Sequence, residues 1–509
     1  MSYPKKALKL KPTHGLNFDI PANETSEEFY TAGDNVIFRQ GFASRTGGYR
    51  AVYGTLPSAV YHLLNVRVDT TNFWLTWGAA SVHALETSNE HDIEGSALQT
   101  VTQPYQYSST ILNGIPVFSN SLDSPQYWTG DVGDNFATLT DWPASTICKS
   151  IAAAKYHLFA MDIDGPSGHF ESQVLWSNAA EPGTIPDSWT PAADNEAGSA
   201  ELSDTPGPVL CMVPLRGSYI FYKRSSTYAA DYVGGNEVFA FRTLLTSSGA
   251  LTRHSVCDIN GQHFVVTDGD IILTDGTNRL SVAQGRMKDY LFATLDQTNY
   301  ENLFVIYNRG RNEVWVCYPE TGNTYCTTAL VYDVANDAFG IRDLATVKCA
   351  AIGIVNDTDP DESWAAATYT WDAATQYWGT SNFSLAVESM VLGYGTTMEM
   401  QDTDDAVATA SSVGKYDLTF GDSERIKCVK RVHVRTASGS GTLYVRVGSK
   451  MHPNDSMTWA TEVELDTATS QIVDAFAQGR YISVEVRSDD TDVWTVTGID
   501  LEAELRGYF

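Results

Sequence analysis

The chain has 509 residues, 43% hydrophobic and 11% aromatic, with 33 Lys and Arg against 62 Asp and Glu for a formal net charge of -29. That length fills two or three domains with complete cores, and the composition excludes intrinsic disorder. So acidic a surface repels phosphate, which excludes tight nucleic-acid binding over most of its area, because such binding runs on Lys and Arg displacing counterions.

The charge is unevenly spread. Residues 1–50 hold seven Lys and Arg against five acids, a balance of +2; residues 401–509 hold eleven against eighteen, a balance of -7; the middle therefore carries -24. The opening MSYPKKALKLKPTHG has lysines but no apolar core segment, and no apolar run nears the ~20 residues that cross a bilayer. Neither a cleaved signal nor a membrane span is expected.

Residues 1–20 read as a basic arm carrying Lys5, Lys6, Lys9 and Lys11, either a frayed terminus or a tether to a partner. Next comes TAGDNVIFRQGFASRTGGY, in which 35–39 is strand-like, Gln40-Gly41 a turn, and 42–45 a return strand. Residues 1–55 are thus expected to form an arm and strands that join a platform.

From 61 to 344 one design repeats six times, opening at Tyr61, Ile111, Ile151, Leu210, Val256 and Leu303, in steps of 50, 40, 59, 46 and 47 residues. Each unit is a short apolar strand, a Gly or Asn turn, an alternating strand, then a further turn and strand. In the fifth unit the turns are Asn260-Gly261, Asp268-Gly269 and Asp275-Gly276, dipeptides suited to the φ > 0 positions of tight hairpins. A four-stranded meander recurring every ~40 to 50 residues is the pattern of propeller blades. About six blades are expected over 56–400.

Trp364, Trp371 and Trp378 stand seven apart, and the surrounding Thr, Tyr and Gly residues favour turns that put the indoles on one face for core packing. Residues 383–400 alternate again and would close the ring. The last part, 401–509, holds IKCVKRVHVRT, GTLYVRVGS, GRYISVEVRS and VWTVTGIDLEAEL, each alternating apolar with charged. Four half-buried antiparallel strands in that space predict a β-sandwich.

Motifs that carry chemistry are absent. There is no G-x-S-x-G, no phosphate loop, no H-E-x-x-H and no calcium-loop string, so no enzyme activity, cofactor or metal is expected. The seven cysteines lack C-x-x-C spacing; Cys317 and Cys326 flank a hairpin loop and could lie opposite each other, although buried free thiols are the expected state. The acidic runs 357–362 and 402–405 could offer oxygen ligands to calcium, with solvated turns the simpler reading. Arg425, Lys427, Lys430, Arg431, His433 and Arg435 form a basic stripe, with Arg431, His433 and Arg435 on one face and Lys430, Val432 and Val434 on the other. It is either a solvated face or a docking surface for an acidic neighbour.

Four segments together resemble the nozzle, or tail hub, proteins of short-tailed bacteriophages. They are the DNV-F-G-R-GG pattern at Asp34, Asn35, Val36, Phe38, Gly41, Arg45, Gly47 and Gly48; NGIPVFSN with PQYW at 113–128; VLWSNAAEPGTIPDSWTP at 174–191; and GRYISVEVRS with TGIDLEAELRG at 479–488 and 497–507. The Trp-Asp element at 371–372 is also similar to that family. The resemblance implies an all-β virion protein of the phage tail, with a propeller and a platform built from both terminal regions. It implies a homo-oligomer, a sixfold ring below the portal and adaptor proteins, whose lumen passes viral DNA without binding it specifically and whose tip meets needle, fibres or host envelope. Lys5, Lys6, Lys9, Lys11, Arg425, Lys427, Lys430, Arg431 and Arg435 are the expected interface residues of such a ring. The alternative reading is a carbohydrate-binding or depolymerising propeller at the tail tip, which requires an axial pocket with aromatics and convergent carboxylates.

Overall fold

The computed structural model describes all residues except 1–4, 12, 87–88, 96–97, 356–387, 404–406, 408, 439–440, 492 and 509. The three tryptophans at 364, 371 and 378 and the acidic run 357–362 lie outside the described residues. Among the described residues nearly all regular structure is β, with one short helix, Lys288–Thr294.

Five four-stranded antiparallel sheets follow one another at 62–92, 108–138, 147–201, 209–245 and 256–281. Their first strands, His62–Val68, Ser108–Leu112, Ile147–Ala154, Val209–Leu215 and Val256–Ile259, begin within four residues of the unit openings read from the sequence. The Asn-Gly turns behave as expected: Asn113 and Gly114 have φ of 53° and 87°, Asn260 and Gly261 of 51° and 79°. Only such left-handed pairs match the twist of the strands they join.

A sixth sheet comprises Phe304–Asn308, Glu313–Tyr318, Cys326–Asp333 and the first part of the long strand Ala338–Gly353. About six blades were expected, and a seventh follows, built in part from the residues read as closing the ring. Past Asp343 the same long strand carries straight on to become the innermost strand of a seventh sheet, pairing with Ser389–Tyr394, which pairs with Thr397–Thr403. The outer strand of this last blade is Gly48–Val52, from the N-terminal region, with Val52 opposite Met398 and Arg50 opposite Met400. Among the described residues the structure is therefore a seven-bladed propeller sealed by the strand Gly48–Val52.

Packing explains why the ring must close. A blade has two apolar faces and can bury them only against two neighbours. Each of the seven gaps holds its own hydrophobic cluster, from Trp77, Phe118 and Trp128 between the first and second blades to Val52, Trp74, Val391 and Met398 between the seventh and first. The cluster between blades five and six is the one that continues into the C-terminal domain.

That domain is the expected β-sandwich. One sheet runs Lys5–Leu10, Thr495–Tyr508, Arg425–Ser438, Ile472–Gly479; the other runs Ala32–Asp34, Ser411–Leu418, Tyr481–Ser488, Thr442–Lys450, with Thr458–Trp459 and Val463–Asp466 on the last strand. Val432, Val434, Val445, Val447, Val484, Val486, Ile499 and Leu501 fill the space between the sheets. Both terminal regions thus build one body.

The DNV segment joins the two bodies. Val36–Arg39 pairs with the outer strand of blade six through Val36 and Ile341, and its hairpin partner Phe42–Arg45 pairs with Thr495 and Val496 of the sandwich. The backbones approach so closely that a Cβ on Gly340 would meet the Val36 carbonyl oxygen at 2.5 Å. Asn35, at φ 49°, donates from Nδ2 to Asp343 Oδ2 at 2.9 Å and to the Ala410 carbonyl at 3.0 Å, while its Oδ1 accepts the Asp343 N–H at 2.8 Å. One asparagine ties blade six to the residue that leads into Ser411–Leu418 of the second sandwich sheet.

Beside it lies an ion cluster whose two carboxylates and Arg342 are buried, while Arg39 and Arg311 reach it from the surface. Asp402 Oδ1 is 3.1 Å from Arg342 Nη1, and its Oδ2 is 3.3 Å from Arg311 Nε and 3.6 Å from Arg39 Nη2. Arg39 also forks onto Glu313, with Nη2 3.0 Å from Oε2. Arg342 donates to Gln401 Oε1 at 2.8 Å and to the Gly47 carbonyl at 3.2 Å, and lies 4.9 Å above the Trp315 ring. The side chains of Glu313 and Asp402 are only 1% and 3% exposed. Asp402, read from the sequence as part of a solvated or calcium-binding turn, is instead a buried counterion for three arginines.

The thiols are free, and six of the seven are buried. Cys317 and Cys326 do not face each other: Cys317 stands opposite Ala329 and Cys326 opposite Val347. Burial raises their pKa values well above the usual thiol range.

Removing one partner of a buried ion cluster strands the others without compensation, at a cost of roughly 3–5 kcal/mol. Arg342→Met is expected to lose about that much stability in urea unfolding, and Arg342→Lys to recover little of it, because an ammonium cannot reproduce the planar fork.

Candidate functional site

The innermost strands of the blades converge on the propeller axis, and a cavity of about 180 Å³ opens where several of them begin. Its walls come from Tyr61 and His62 of blade one, Tyr105 before blade two, Arg253 and His254 before blade five, Asn302 and Phe304 at blade six, and Lys348 of blade seven. Residues far apart in sequence meet across it. His62 Nε2 is 2.7 Å from Ser109 Oγ, its ring stacks on Tyr107 at 5.9 Å, and the His62 and His254 rings are 6.3 Å apart. Asn302 Nδ2 donates to Gln103 Oε1 at 2.9 Å.

Arg253, which precedes blade five, reaches blades two and three. Its Nη1 donates to Ser121 Oγ and to the Lys149 carbonyl, each at 3.0 Å, and its Nη2 lies 4.0 Å from Asp162 Oδ2. Asp162 is itself buried and shared with His169 and Lys149. Lys348 rests over the rings of Tyr61 and Tyr325 at 3.9 and 4.7 Å, a cation–π arrangement. Burial lowers the His62 pKa to about 3 and that of His254, with Arg253 adding repulsion, to about 4; burial beside Glu301 pushes Tyr105 up to about 12.

The chemistry on offer is neutral imidazoles, phenols and two cations. No carboxylate is among the described lining residues, so among them the convergent acid pair that glycosidic cleavage needs is not presented at this pocket. Side chains beside the pocket hydrogen-bond from blade to blade. Among the described residues no group of three or more His, Cys, Asp or Glu is placed to hold a metal ion.

The nine expected interface residues separate into distinct roles. Lys5, Lys430, Arg431 and Arg435 lie on the outer face of the first sandwich sheet, each paired with an acid on a neighbouring strand: Lys5 with Glu502 at 2.7 Å, Lys430 with Glu504 at 2.9 Å, Arg431 with Asp474 at 3.0 Å, Arg435 with Asp500 at 3.0 Å. The basic stripe is therefore largely neutralised within its own sheet. Lys430 was expected on the face opposite Arg431, but the register shifts between Val429 and Arg431, and this bulge turns both side chains outward.

Lys427 is not a surface residue. It is fully buried, and its ammonium donates to the carbonyls of Asp422 and Arg480, the latter at 2.6 Å; burial lowers its pKa to about 8. Arg425 stacks on the Tyr508 ring at 4.9 Å, and Lys6 donates to the Phe420 carbonyl at 2.5 Å. Lys9 and Lys11 are exposed. Sequence reasoning missed the Arg39–Glu313–Asp402–Arg342 cluster, whose members are scattered singly along the chain. It also missed the exposed Ile472 and Phe476 on the sandwich edge, although the alternation of IVDAFAQG was a readable signal.

No family model matches the chain, and no curated protein matches it. Among solved structures, similar chains include the WD40 β-propeller domain of Doa1, at 9% identity and TM-score 0.36 over 70% of this chain and 97% of that one. YCF48 bound to D1 peptide aligns at 12% identity and TM-score 0.38 over 71% and 97%. The extracellular domain of a hybrid two-component system from B. thetaiotaomicron aligns at 8% and 0.41 over 88% and 62%. The strand pairing itself defines the class: an all-β protein in which a seven-bladed propeller is joined to a β-sandwich made from both ends of the chain.

The buried histidines give the pocket a pH signature. Their folded pKa values lie below the unfolded 6.5, so the folded state binds fewer protons, and the stability they allow at neutral pH is lost as pH falls from about 6.5 toward 4. Thermal melts from pH 7 to pH 4 are expected to show a smaller fall in melting temperature for the His62→Gln, His254→Gln double variant than for the unaltered protein.

Proposed function

We propose that this chain is a structural subunit of a short-tailed phage tail: a nozzle protein that forms a sixfold ring below the portal and adaptor proteins. The observation that carries this reading is the position of the residues most like that family. Residues 34–48 form the hairpin that fastens propeller to sandwich and then run into the strand that seals the ring of blades. A subunit braced in this way suits the wall of a tube that must withstand the passage of DNA.

Charge supports the same reading. Six copies would sum to 6 × -29 = -174 formal charges. An acidic lumen repels a polyanion and lowers its friction with the wall, so DNA passes without being held. In this reading the tip meets needle or fibre proteins and, transiently, the host envelope. The cations and neutral imidazoles lining the pocket fit a rigid scaffold better than a depolymerase.

Electron microscopy and mass measurement of the purified protein, alone and with the adaptor protein from the same genome, test the proposal. Closed sixfold rings that stack on the adaptor are the expected result. A chain that stays monomeric in both settings, or that degrades host surface polysaccharide, would overturn it.

A further inference from the structure

We propose that the two free edges of the first sandwich sheet are the two halves of one subunit contact: Ile472–Gly479 of one copy docks along Lys5–Leu10 of the next. The inference rests on the ring reading above and names the surfaces that would build it.

In that sheet Lys5–Leu10 lies at one side and Ile472–Gly479 at the other, and among the described residues each pairs with one strand only. An unpaired edge presents a row of N–H and C=O groups that another strand can use, and a lysine-rich edge discourages pairing with a copy of itself. The two edges are opposite in charge. Residues 1–18 contain four lysines and no acid, and residues 460–479 contain Glu462, Glu464, Asp466 and Asp474 with no Lys or Arg. Lys5 and Asp474 are paired within the sheet and Glu462 with Arg487, so the charges offered to a neighbour are Lys9 and Lys11 at one edge and Glu464 and Asp466 at the other. Glu464 and Asp466 are exposed on Val463–Asp466, the neighbouring edge strand of the facing sheet.

The acidic edge also carries uncovered apolar surface. Ile472 and Phe476 are 50% and 57% exposed, on the face where Asp474 also points outward, while Val473, Ala475 and Ala477 fill the core. Large apolar side chains left on a sheet edge mark a contact surface. Because the complementary patches differ and sit on opposite sides of one domain, docking repeats in a single direction, which is the heterologous contact that closes into a ring. Main-chain bonds of the added strand would set register, and the lysines and acids would select the partner edge.

Cysteine cross-linking of the full chain tests the contact. Ala7→Cys is combined in turn with Ile472→Cys, Asp474→Cys and Phe476→Cys; all four positions are exposed. Facing side chains on paired strands have Cβ atoms roughly 4.5–5.5 Å apart, close enough for a small shift to allow a disulfide. Mild oxidation is expected to give a reducible ladder of covalent oligomers with at least one combination. Phe476→Lys is expected to raise the concentration for half-assembly by about tenfold or more with an unchanged melting temperature, while Phe476→Leu assembles normally. Rings that form without any cross-link, or that tolerate Phe476→Lys, overturn the edge contact and leave the ring reading standing. An unaltered chain that forms no ring overturns both.

Discussion

A propeller blade cannot satisfy itself, and that constraint governs the rest of this structure. Each sheet has an apolar face on either side, so the seven clusters between blades are stable only when every blade has two neighbours. The joint between the last blade and the first is where the chain has to meet itself. Val52 and Met398, both fully buried, supply that joint together with Trp74 of the first blade. Hydrogen bonds from Trp74 Nε1 and Asn72 Nδ2 to the Ile354 carbonyl, each 2.8 Å, fix blade one against blade seven.

Closure and domain coupling use the same stretch of chain. The hairpin at 36–45 hands sheet hydrogen bonding from blade six to the sandwich, and Gly48–Val52 then seals blade seven. Two buried carboxylates and three arginines sit at this crossing. In a low-dielectric site, charges favour one arrangement over any shifted one, because each misplaced partner leaves another unpaired. The cluster thereby ties the connecting hairpin, through Arg39, to blade six through Glu313 and to blade seven through Asp402, which Arg342 of blade six also holds.

The sequence made the blades legible because their turns are local. Asn113-Gly114 and Asn260-Gly261 announce hairpins in two residues, and the unit openings they imply lie within a few residues of the observed inner strands. The seventh blade was hidden for a non-local reason. Its inner strand follows Asp343 with no punctuating turn, and its outer strand at 48–52 precedes its partner Thr397–Thr403 by more than 340 residues, in what read as part of the platform. The interface stripe misled in a similar way. Arg431 and Arg435 look like free cations along one strand, and only the pairing with Ile472–Gly479 and Thr495–Tyr508 reveals Asp474 and Asp500 beside them. Likewise Lys427 reads as surface charge until the fold places backbone carbonyls around its ammonium.

The origin of the sealing strand also bears on how the protein is made. Gly48–Val52 leaves the ribosome some 345 residues before Thr397–Thr403, its partner. Until then the early blades wait with one flank uncovered, and the loop to be closed is among the longest the chain contains, which favours slow acquisition of the native state. Overproduction at reduced temperature or alongside chaperones should therefore govern how much soluble material is recovered, even if the finished ring of blades proves very durable.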